Sequence, residues 1–260
     1  MKQHTKYKKY FIEEELKNDS KFILQLIKDD RENLLEIVEN IDYELKSDKK
    51  FMLKVLKQDG AALEYASKEL RDDPDIVTQA CKDKCHVLDF ASERLKSNRE
   101  FILKIVKFSP FQLAFVPAIL RCDRDIIKEA VKVSGYTLQF ASDNLKDNSE
   151  IVKLAISKDG KSLCFASDRL KDDEELVLMA INKDQLAFQH ASNRLKHDNN
   201  FQIKAYSINK NIVEYLPEAL KEKIGDKDPQ KWAESYFAKK ELESELITSL
   251  KDEKTKKIKI

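Results

Sequence analysis

The sequence predicts an all-α protein, an α-solenoid of about eight to nine 25-residue helical-hairpin repeats with a C-terminal capping helix. Two observations predict this fold. Only four glycines and five prolines interrupt 260 residues rich in Lys, Glu and Leu, and that composition favours helices. Leucine also recurs in a strict 25-residue period, which is typical of solenoids. These leucines, here called anchors, are Leu45, Leu70, Leu95, Leu120, Leu145, Leu170, Leu195 and Leu220, with Leu16 as a weaker first member.

Apolar residues keep fixed distances from the anchors, so each repeat can bury the same face against its neighbours. Seven residues before the anchors lie Val38, Leu63, Leu88, Leu113, Leu138, Leu163, Phe188 and Val213. Four before them lie Ile41, Ala66, Ala91, Val116, Ala141, Ala166, Ala191 and Leu216. Ten after them lie Leu26, Val55, Ala80, Ile105, Ala130, Ala155, Ala180 and Ala205. A ladder of rings between repeats is predicted from Tyr65, Phe90, Phe115, Phe140, Phe165, His190 and Tyr215.

Each repeat opens with a predicted helix start. Asp and Asn are preferred N-caps because their side chains accept hydrogen bonds from free backbone amides. Pro74, directly after Asp73, suits a first helical position. This helix is expected to run for about ten residues and to end at a glycine stop near Gly60, Gly135 or Gly160. The predicted caps, three residues after the anchors, are Asp19, Asp48, Asp73, Asn98, Asp123, Asn148, Asp173 and Asp198.

The second segment of each repeat is expected to contain a break. Ser67 shares its position in the repeat with Pro117 and Pro217, and proline removes a hydrogen bond from a helix interior. Serine and proline exchange most easily at a helix start. We therefore expect a short helix over 61–66, a break, and one helical turn through Leu70. The alternative is a single helix that is kinked only where proline occurs.

The repeat pattern also sets the expected boundaries of the chain. Stacked repeats at about 10 Å each predict an elongated monomer with a path of roughly 80–90 Å. The predicted segments are an N-terminal capping unit (1–32), the repeat solenoid (33–224), a C-terminal capping helix (225–250) and a polar tail (251–260). The side chains expected to cover the open end of the last repeat are Trp232, Tyr236, Phe237 and Leu242.

Composition excludes several classes of protein. Lys and Arg number 48 against 47 Asp and Glu, so the basic excess of a nucleic-acid-binding protein is missing and no nucleic-acid partner is expected. The longest apolar run without charge, 108–120, is too short for a membrane helix, which needs roughly 20 residues. The first residues lack the apolar stretch of a signal peptide. Four scattered cysteines indicate a reducing compartment, so a cytoplasmic location is expected.

The repeated pattern L-x-x-A-S-x-x-L-[KR]-x-D, followed by an apolar helix that ends near Gly, is similar to the repeat of domain of unknown function 4116. The resemblance covers about residues 33–210. It implies no activity and no ligand, because none is established for that repeat. Such repeats occur in protists and in bacteria that live inside host cells, sometimes in proteins taken to be secreted effectors. The resemblance therefore implies secretion into a host cell as an alternative location. Glu241, Glu243 and Glu245 resemble the acidic block of some bacterial secretion signals, although charged exposed helices share that pattern.

No catalytic, cofactor-binding or metal-binding residue is predicted. Cys81, Cys85 and His86 are spaced loosely like metal ligands, but Cys81 fills an apolar position and Cys85 the glycine position. No second pair with zinc-type spacing follows. His190 belongs to the predicted ring ladder, which favours a packed histidine over a base. Neither a nucleophile elbow nor an HExxH pattern occurs, so we predict that the protein is not an enzyme and needs no cofactor.

A basic residue follows every anchor. One interpretation is a basic edge for an acidic partner, a phosphoinositide headgroup or a nucleic acid. The other is a set of surface cations that stabilise helix C-termini through the helix dipole. Neighbouring acids such as Asp72 and Asp147 partly cancel the row and favour the second interpretation. The basic residues are Lys17, Lys46, Arg71, Lys96, Arg121, Lys146, Lys171, Lys196 and Lys221.

Two adjacent repeats carry apolar residues at positions that are mostly polar elsewhere. Thirteen residues after the anchor, for example, other repeats have Gln58 or Lys158. One hypothesis is that these apolar side chains form a single exposed patch, because such patches mark contact surfaces. The alternative is that Pro110 and Pro117 reshape the repeat and turn some of them into the core. The predicted partner-binding residues are Phe108, Phe111, Ile119, Val133 and Tyr136.

These observations predict a non-catalytic protein-binding repeat scaffold, either an adaptor or a secreted bacterial effector. Its partner is expected to be a protein. The first alternative is an accessory or structural module for a separate catalytic chain. An unrecognised enzyme ranks last.

Overall fold

The computed structural model describes residues 12–82 and 86–258, with side chains up to residue 245. In this part of the chain 3-10 helices are separated mostly by pairs of α-helices, and no strand occurs. The α-helices are α1 (Ser20–Asp29), α2 (Leu34–Glu39), α3 (Tyr43–Ser47), α4 (Lys49–Leu56), α5 (Lys68–Arg71), α6 (Pro74–Ala80), α7 (Glu93–Lys96), α8 (Arg99–Val106), α9 (Ala118–Arg121), α10 (Arg124–Val133), α11 (Asp143–Lys146), α12 (Ser149–Lys158), α13 (Asp168–Lys171), α14 (Glu174–Lys183), α15 (Asn193–His197), α16 (Asn199–Ile208), α17 (Glu218–Ile224) and α18 (Pro229–Ile258). The 3-10 helices are Glu14–Leu16, Arg31–Asn33, Gly60–Tyr65, Val87–Phe90, Pro110–Phe115, Gly135–Phe140, Gly160–Phe165, Gln185–His190 and Lys210–Tyr215.

The predicted all-α repeat solenoid is confirmed. A repeat consists of a longer α-helix, a 3-10 helix and an α-helix of about one turn, as in α4, Gly60–Tyr65 and α5. The chain divides into two compact units, Met1–Leu145 and Lys146–Ile260, called here the N-terminal and C-terminal units. In the N-terminal unit α4 packs on α6 and α8 on α10. In the C-terminal unit α12 packs on α14, α14 on α16, and α16 on α18.

Every predicted N-cap residue caps its helix. The carboxylate of Asp73, for example, accepts hydrogen bonds from the amides of Asp75 at 2.9 Å and Ile76 at 3.2 Å. The side chain satisfies amides that have no partner inside the helix, which explains why the same residue types recur at this position. The residues that cap in this way are Asp19, Asp48, Asp73, Asn98, Asp123, Asn148, Asp173 and Asp198.

The predicted break between the two short helical segments is also present, which decides against a single kinked helix. Ser67 has φ −58° and ψ 159°, and Pro117 has φ −53° and ψ 147°, so both residues adopt the same extended conformation. Each stands at the N-cap of a short α-helix, where proline removes no intrahelical hydrogen bond. The preceding segment is a 3-10 helix, Gly60–Tyr65 in the repeat of Ser67.

Backbone hydrogen bonds at this break join consecutive repeats. The amide of Ser92 donates to the carbonyl of Arg71 at 2.9 Å, and in the C-terminal unit the amide of Ser192 donates to the carbonyl of Lys171 at 2.9 Å. Pro217 has no amide hydrogen to give. In that repeat the equivalent acceptor is the carbonyl of Lys196, and it accepts a hydrogen bond from the side-chain amide of Gln202 instead. A buried glutamine thus replaces the bond that proline removes.

Gly60, Gly135 and Gly160 do not end helices, so their predicted role as glycine stops was wrong. Each is the first residue of a 3-10 helix, and among the described glycines only Gly225 has a positive φ. A Cβ atom at Gly60 would lie 2.3 Å from the carbonyl oxygen of Ala80, and one at Gly160 would lie 2.5 Å from that of Ala180. Glycine is needed because the backbone of the following repeat approaches so closely.

The anchors form the centre of the core. All eight leucines from Leu45 to Leu220 are at most 9% exposed, while Leu16 is half-buried, as its weaker place in the pattern suggests. The apolar residues at the other repeated positions are buried too, except that Leu26 and Val213 are half-buried. Each repeat therefore buries the same face, which accounts for the recurrence of the sequence.

The basic residues that follow the anchors from Leu45 onward lie in the last turn of their short α-helices, as predicted, but their side chains are not fully exposed, so that part of the prediction was wrong. They are half-buried, and Lys96 is only 9% exposed. The ammonium group of Lys46 donates to the carbonyl of Glu39 at 2.6 Å, and that of Lys96 donates to the carbonyl of Asp89 at 3.3 Å. These lysines supply donors to carbonyls at the end of the preceding helical segment, and their methylene stems cover apolar surface.

Lys96→Ala is therefore expected to lower the free energy of unfolding by about 0.5–1.5 kcal/mol, because it removes a hydrogen bond and the packing of a buried stem. Lys104→Ala, which changes an exposed lysine of α8, is the matched control and should stay within about 0.5 kcal/mol. Urea unfolding followed by circular dichroism measures both. Equal midpoints for the two variants would contradict this role of Lys96.

The C-terminal helix is longer than predicted. Helix α18 begins at Pro229 and continues to Ile258, so residues 251–258 are helical and not a separate tail. Lys and Glu support helix formation there, and neither glycine nor proline interrupts it. Trp232 packs edge-on against Tyr206 of α16, with ring centroids 6.2 Å apart. Leu242, in contrast, is 66% exposed and does not cover the last repeat. Residues 1–11 of the predicted N-terminal capping unit lie outside the described residues.

Candidate functional site

Three of the five predicted partner-binding residues are exposed. Phe108 is 42% exposed, Val133 48% and Ile119 75%. Phe111 and Tyr136 are half-buried. Phe108 and Ile119 therefore do not turn into the core, despite the neighbouring prolines.

The exposed residues do not form a single patch. Phe108 follows the C-terminal end of α8, and Val133 is the last residue of α10, the helix that packs beside it. Ile119 lies in α9, just before the cap residue Asp123. The carboxylate of Asp123 lies 2.6 Å from Arg99, which is at the N-terminal end of α8 and therefore at the end far from Phe108. Helix α8 has eight residues and is about 12 Å long. Phe108 and Val133 thus share one end of the repeats, and Ile119 lies at the other.

Phe111 takes part in packing between repeats. Its ring meets that of Phe140 edge-on, with centroids 6.3 Å apart. The rings of His86 and Phe115 repeat this arrangement at 5.4 Å. In both pairs a residue of the predicted ring ladder contacts a ring near the start of the preceding 3-10 helix, and not the neighbouring ladder residue. This pairing gives Phe111 a structural role.

Exposed lysines surround Phe108 and Val133, and they are not among the predicted binding residues. Lys104 lies four residues before Phe108, on the same helix face, and Lys107 directly precedes Phe108 at the end of α8. Lys132 precedes Val133 in the same way. We call these five residues the Phe108–Val133 surface. The signal that could have revealed it is the lysine that stands twelve residues after the anchor in both repeats.

A third exposed apolar residue at this position of the repeat, after Phe108 and Val133, was also missed. Ile208, in the C-terminal unit, stands thirteen residues after its anchor and is 42% exposed. With Leu178 and Met179 it lines an open groove of about 500 Å³. The groove lies between α14, α16 and the first turn of α18, to which Gln230 belongs.

Ile119 occupies a position that in three other repeats holds an arginine with a structural role. Arg94 donates from Nε to both carboxylate oxygens of Asp72 at 2.9 Å, and from Nη2 to the carbonyl of Asp72 at 2.8 Å. The hydroxyl of Ser92 donates to the same carboxylate. In the repeat of Ile119 both partners of this bridge are replaced, because Ile119 stands in place of Arg94 and Ser97 in place of Asp72. The bridge between repeats therefore cannot form there. The same bridge joins Asp147 to Ser167 and Arg169, and Asp172 to Ser192 and Arg194.

These bridges predict a dependence of stability on pH. The Ser192 hydroxyl and then the Arg194 guanidinium hold the pKa of Asp172 below its usual value, because both favour the charged carboxylate. A lowered pKa stabilises the fold above the unfolded pKa, about pH 4, and this contribution is lost as pH falls through the folded pKa. Asp172→Asn should therefore reduce the loss of thermal stability on acidification. Asp168→Asn, at a fully exposed side chain, is the control. Melting curves measured from neutral to acidic pH would contradict this assignment if all three proteins lost stability equally.

The described residues do not assemble the weak metal pattern. Burial raises the pKa of the Cys81 thiol to about 12, so this group is a neutral thiol in the core. Cys85 lies outside the described residues, and His86 is exposed. Burial, with Lys171 and Lys196 adding to it, lowers the pKa of His190. Within the described part of the chain, no group of three His, Cys, Asp or Glu residues could hold a metal ion.

Comparison with known families agrees with the repeat geometry. The family described as Domain of unknown function (DUF4116) matches the chain four times, over more than half of its length. The chain belongs to this family. The longer DUF4116 matches each span two 25-residue repeats and start at a helix cap, Asp73, Asp123 or Asp173. The matched residues are 36–71, 73–121, 123–171 and 173–221.

The DUF4116 resemblance predicted from the sequence is thereby confirmed. No curated protein and no solved structure shows a significant match to the chain. Across the described residues, no helix combines the length and apolar character needed to cross a bilayer.

Proposed function

We propose that this DUF4116 chain is a non-catalytic scaffold that binds another protein through the Phe108–Val133 surface. The observation that supports the proposal is the exposure of two large apolar side chains at the same end of adjacent helices α8 and α10. Single exposed apolar residues are common on protein surfaces, but aligned ones on neighbouring elements are typical of contact sites. Aromatic side chains such as Phe108 are frequent anchors of protein interfaces.

Other repeats of this chain show which residues the fold accepts at these positions. Gln58 stands where Phe108 does, and Lys158 stands where Val133 does. The double variant Phe108→Gln with Val133→Lys should therefore keep the helical content and melting temperature of the unchanged protein. It should lose the protein that the unchanged chain captures from a lysate of the cells that express it, as identified by mass spectrometry.

The control exchanges two exposed apolar residues outside the surface, Ile119→Lys with Leu242→Lys. This variant should retain the captured protein. Retention by the Phe108→Gln, Val133→Lys variant as well would overturn the proposed function. So would a large drop in its melting temperature, because the two side chains would then belong to the core.

A further inference from the structure

The longer helices of the N-terminal unit carry exposed lysines at their C-terminal ends. These residues stand twelve positions after successive anchors and are here called the lysine row. Lys132 forms an ion pair with Glu129 of its own helix. The lysine row consists of Lys28, Lys57, Lys82, Lys107 and Lys132, all exposed.

The helix dipole alone does not account for this row. A cation stabilises the last turn of a helix at more than one position. In the C-terminal unit, Lys158 and Lys183 end their helices one residue later, and the row position holds Ser157, Asn182 and, in the last repeat, Ser207. The N-terminal unit uses one position in every repeat, which places its charges on the same side of successive helices.

The opposite ends of the same helices do not carry a comparable excess of positive charge. There the basic residues pair with the acids of the next repeat. Lys49 Nζ lies 2.7 Å from a carboxylate oxygen of Asp73, and Arg99 Nε lies 2.6 Å from one of Asp123. The positive excess therefore lies at the end where Phe108 and Val133 are exposed.

We propose that the segment bound by this surface is an extended acidic peptide, with an acidic residue at about every third position and apolar residues that meet Phe108 and Val133. This inference rests on the proposed function above. The 3-10 helices pack on one another from Gly60–Tyr65 to Gly135–Phe140, which keeps the helix ends of successive repeats adjacent. Packed helices lie about 8–10 Å apart. An extended chain in the polyproline II conformation advances about 3.1 Å per residue with three residues per turn, so every third side chain points the same way and three residues match one repeat.

The test measures binding of a fluorescent peptide that repeats Glu-Leu-Ser along the length of the row. Fluorescence anisotropy should show binding that weakens as salt rises, because exposed charges are screened. Lys57→Glu with Lys107→Glu should weaken binding roughly tenfold. The control Lys231→Glu with Lys239→Glu makes the same change in net charge on exposed lysines of α18 and should leave affinity unchanged. Circular dichroism checks that both variants are folded.

Three results would overturn the inference. One is equal affinity for a peptide of the same composition whose glutamates are grouped together. Another is an equal loss of affinity in both charge variants, which would indicate a general charge effect. The third is tighter binding of a single-stranded RNA oligonucleotide or of vesicles of anionic phospholipid, which would identify a different class of partner.

Variants that remove the exposed apolar side chains of Phe108 and Val133 separate this inference from the proposed function. If the peptide does not bind, but Phe108→Gln with Val133→Lys still loses its captured protein, the acidic class is wrong and the proposed function stands. If the peptide binds a Phe108→Gln, Val133→Gln variant, which adds no charge, as tightly as the unchanged protein, the apolar contacts are absent and the inference fails. Continued capture by the same variant then decides against the proposed function as well.

Discussion

Replacing Leu95 with alanine is expected to lower the free energy of unfolding by about 2–5 kcal/mol. Leu95 is 1% exposed and is one of the anchors around which consecutive repeats pack. The truncation removes buried methyl groups and leaves a cavity that fixed backbones on either side cannot fill.

Ile119→Ala provides the control for Leu95→Ala. It truncates a similar side chain in the equivalent single-turn helix of the next repeat, but Ile119 is 75% exposed. Its effect should stay within about 0.5 kcal/mol. Urea unfolding curves compare the midpoints of the two variants. A larger shift for Ile119→Ala than for Leu95→Ala would reverse the assignment of inside and outside.

The second large effect is expected at Gly60. In Gly60→Ala the added Cβ atom would meet the Ala80 carbonyl oxygen at 2.3 Å, so the backbones of two repeats must separate. Overpacking of this kind costs about 1–3 kcal/mol, and more where backbone cannot move. An ordinary Gly→Ala exchange without a clash would instead stabilise the protein, by reducing the entropy of the unfolded chain.

The matched control for Gly60→Ala is Lys210→Ala, at the same position of the last repeat, where the side chain is exposed. Its effect should lie within about 0.5 kcal/mol. Calorimetry of both variants measures the result. An unchanged or higher melting temperature for Gly60→Ala would show that close approach of the Ala80 backbone does not explain this glycine.

The local features of the repeat were predictable because short-range interactions decide them. Asp73 accepts hydrogen bonds from amides two and three residues ahead, so its cap can be read from neighbouring residues. The break at Ser67 follows from its exchange with Pro117 and Pro217, since proline is tolerated at a helix start and not in a helix interior. The anchors follow from periodicity, because a strict repeat must bury one face.

The candidate binding site was predictable only in part, because exposure depends on residues distant in the chain. The pattern identified Phe108 and Val133, and both are exposed. It grouped Ile119 with them, although the contact between Arg99 and Asp123 places Ile119 at the other end of α8. It also treated Phe111 as free surface, whereas Phe140 of the next repeat covers part of its ring.

The sequence by itself determined the fold class, the repeat length, the helix caps and the break within each repeat, since hydrogen bonds over a few residues and a strict apolar period set all of them. Only the tertiary structure decided what the glycines and the basic residues do. Gly60 is required by a carbonyl twenty residues away in the next repeat, and the stem of Lys96 is covered by packing that no local pattern reveals. The tertiary structure also decided which of the apolar residues at otherwise polar repeat positions share a surface. Their grouping depends on where the ends of neighbouring helices lie in space.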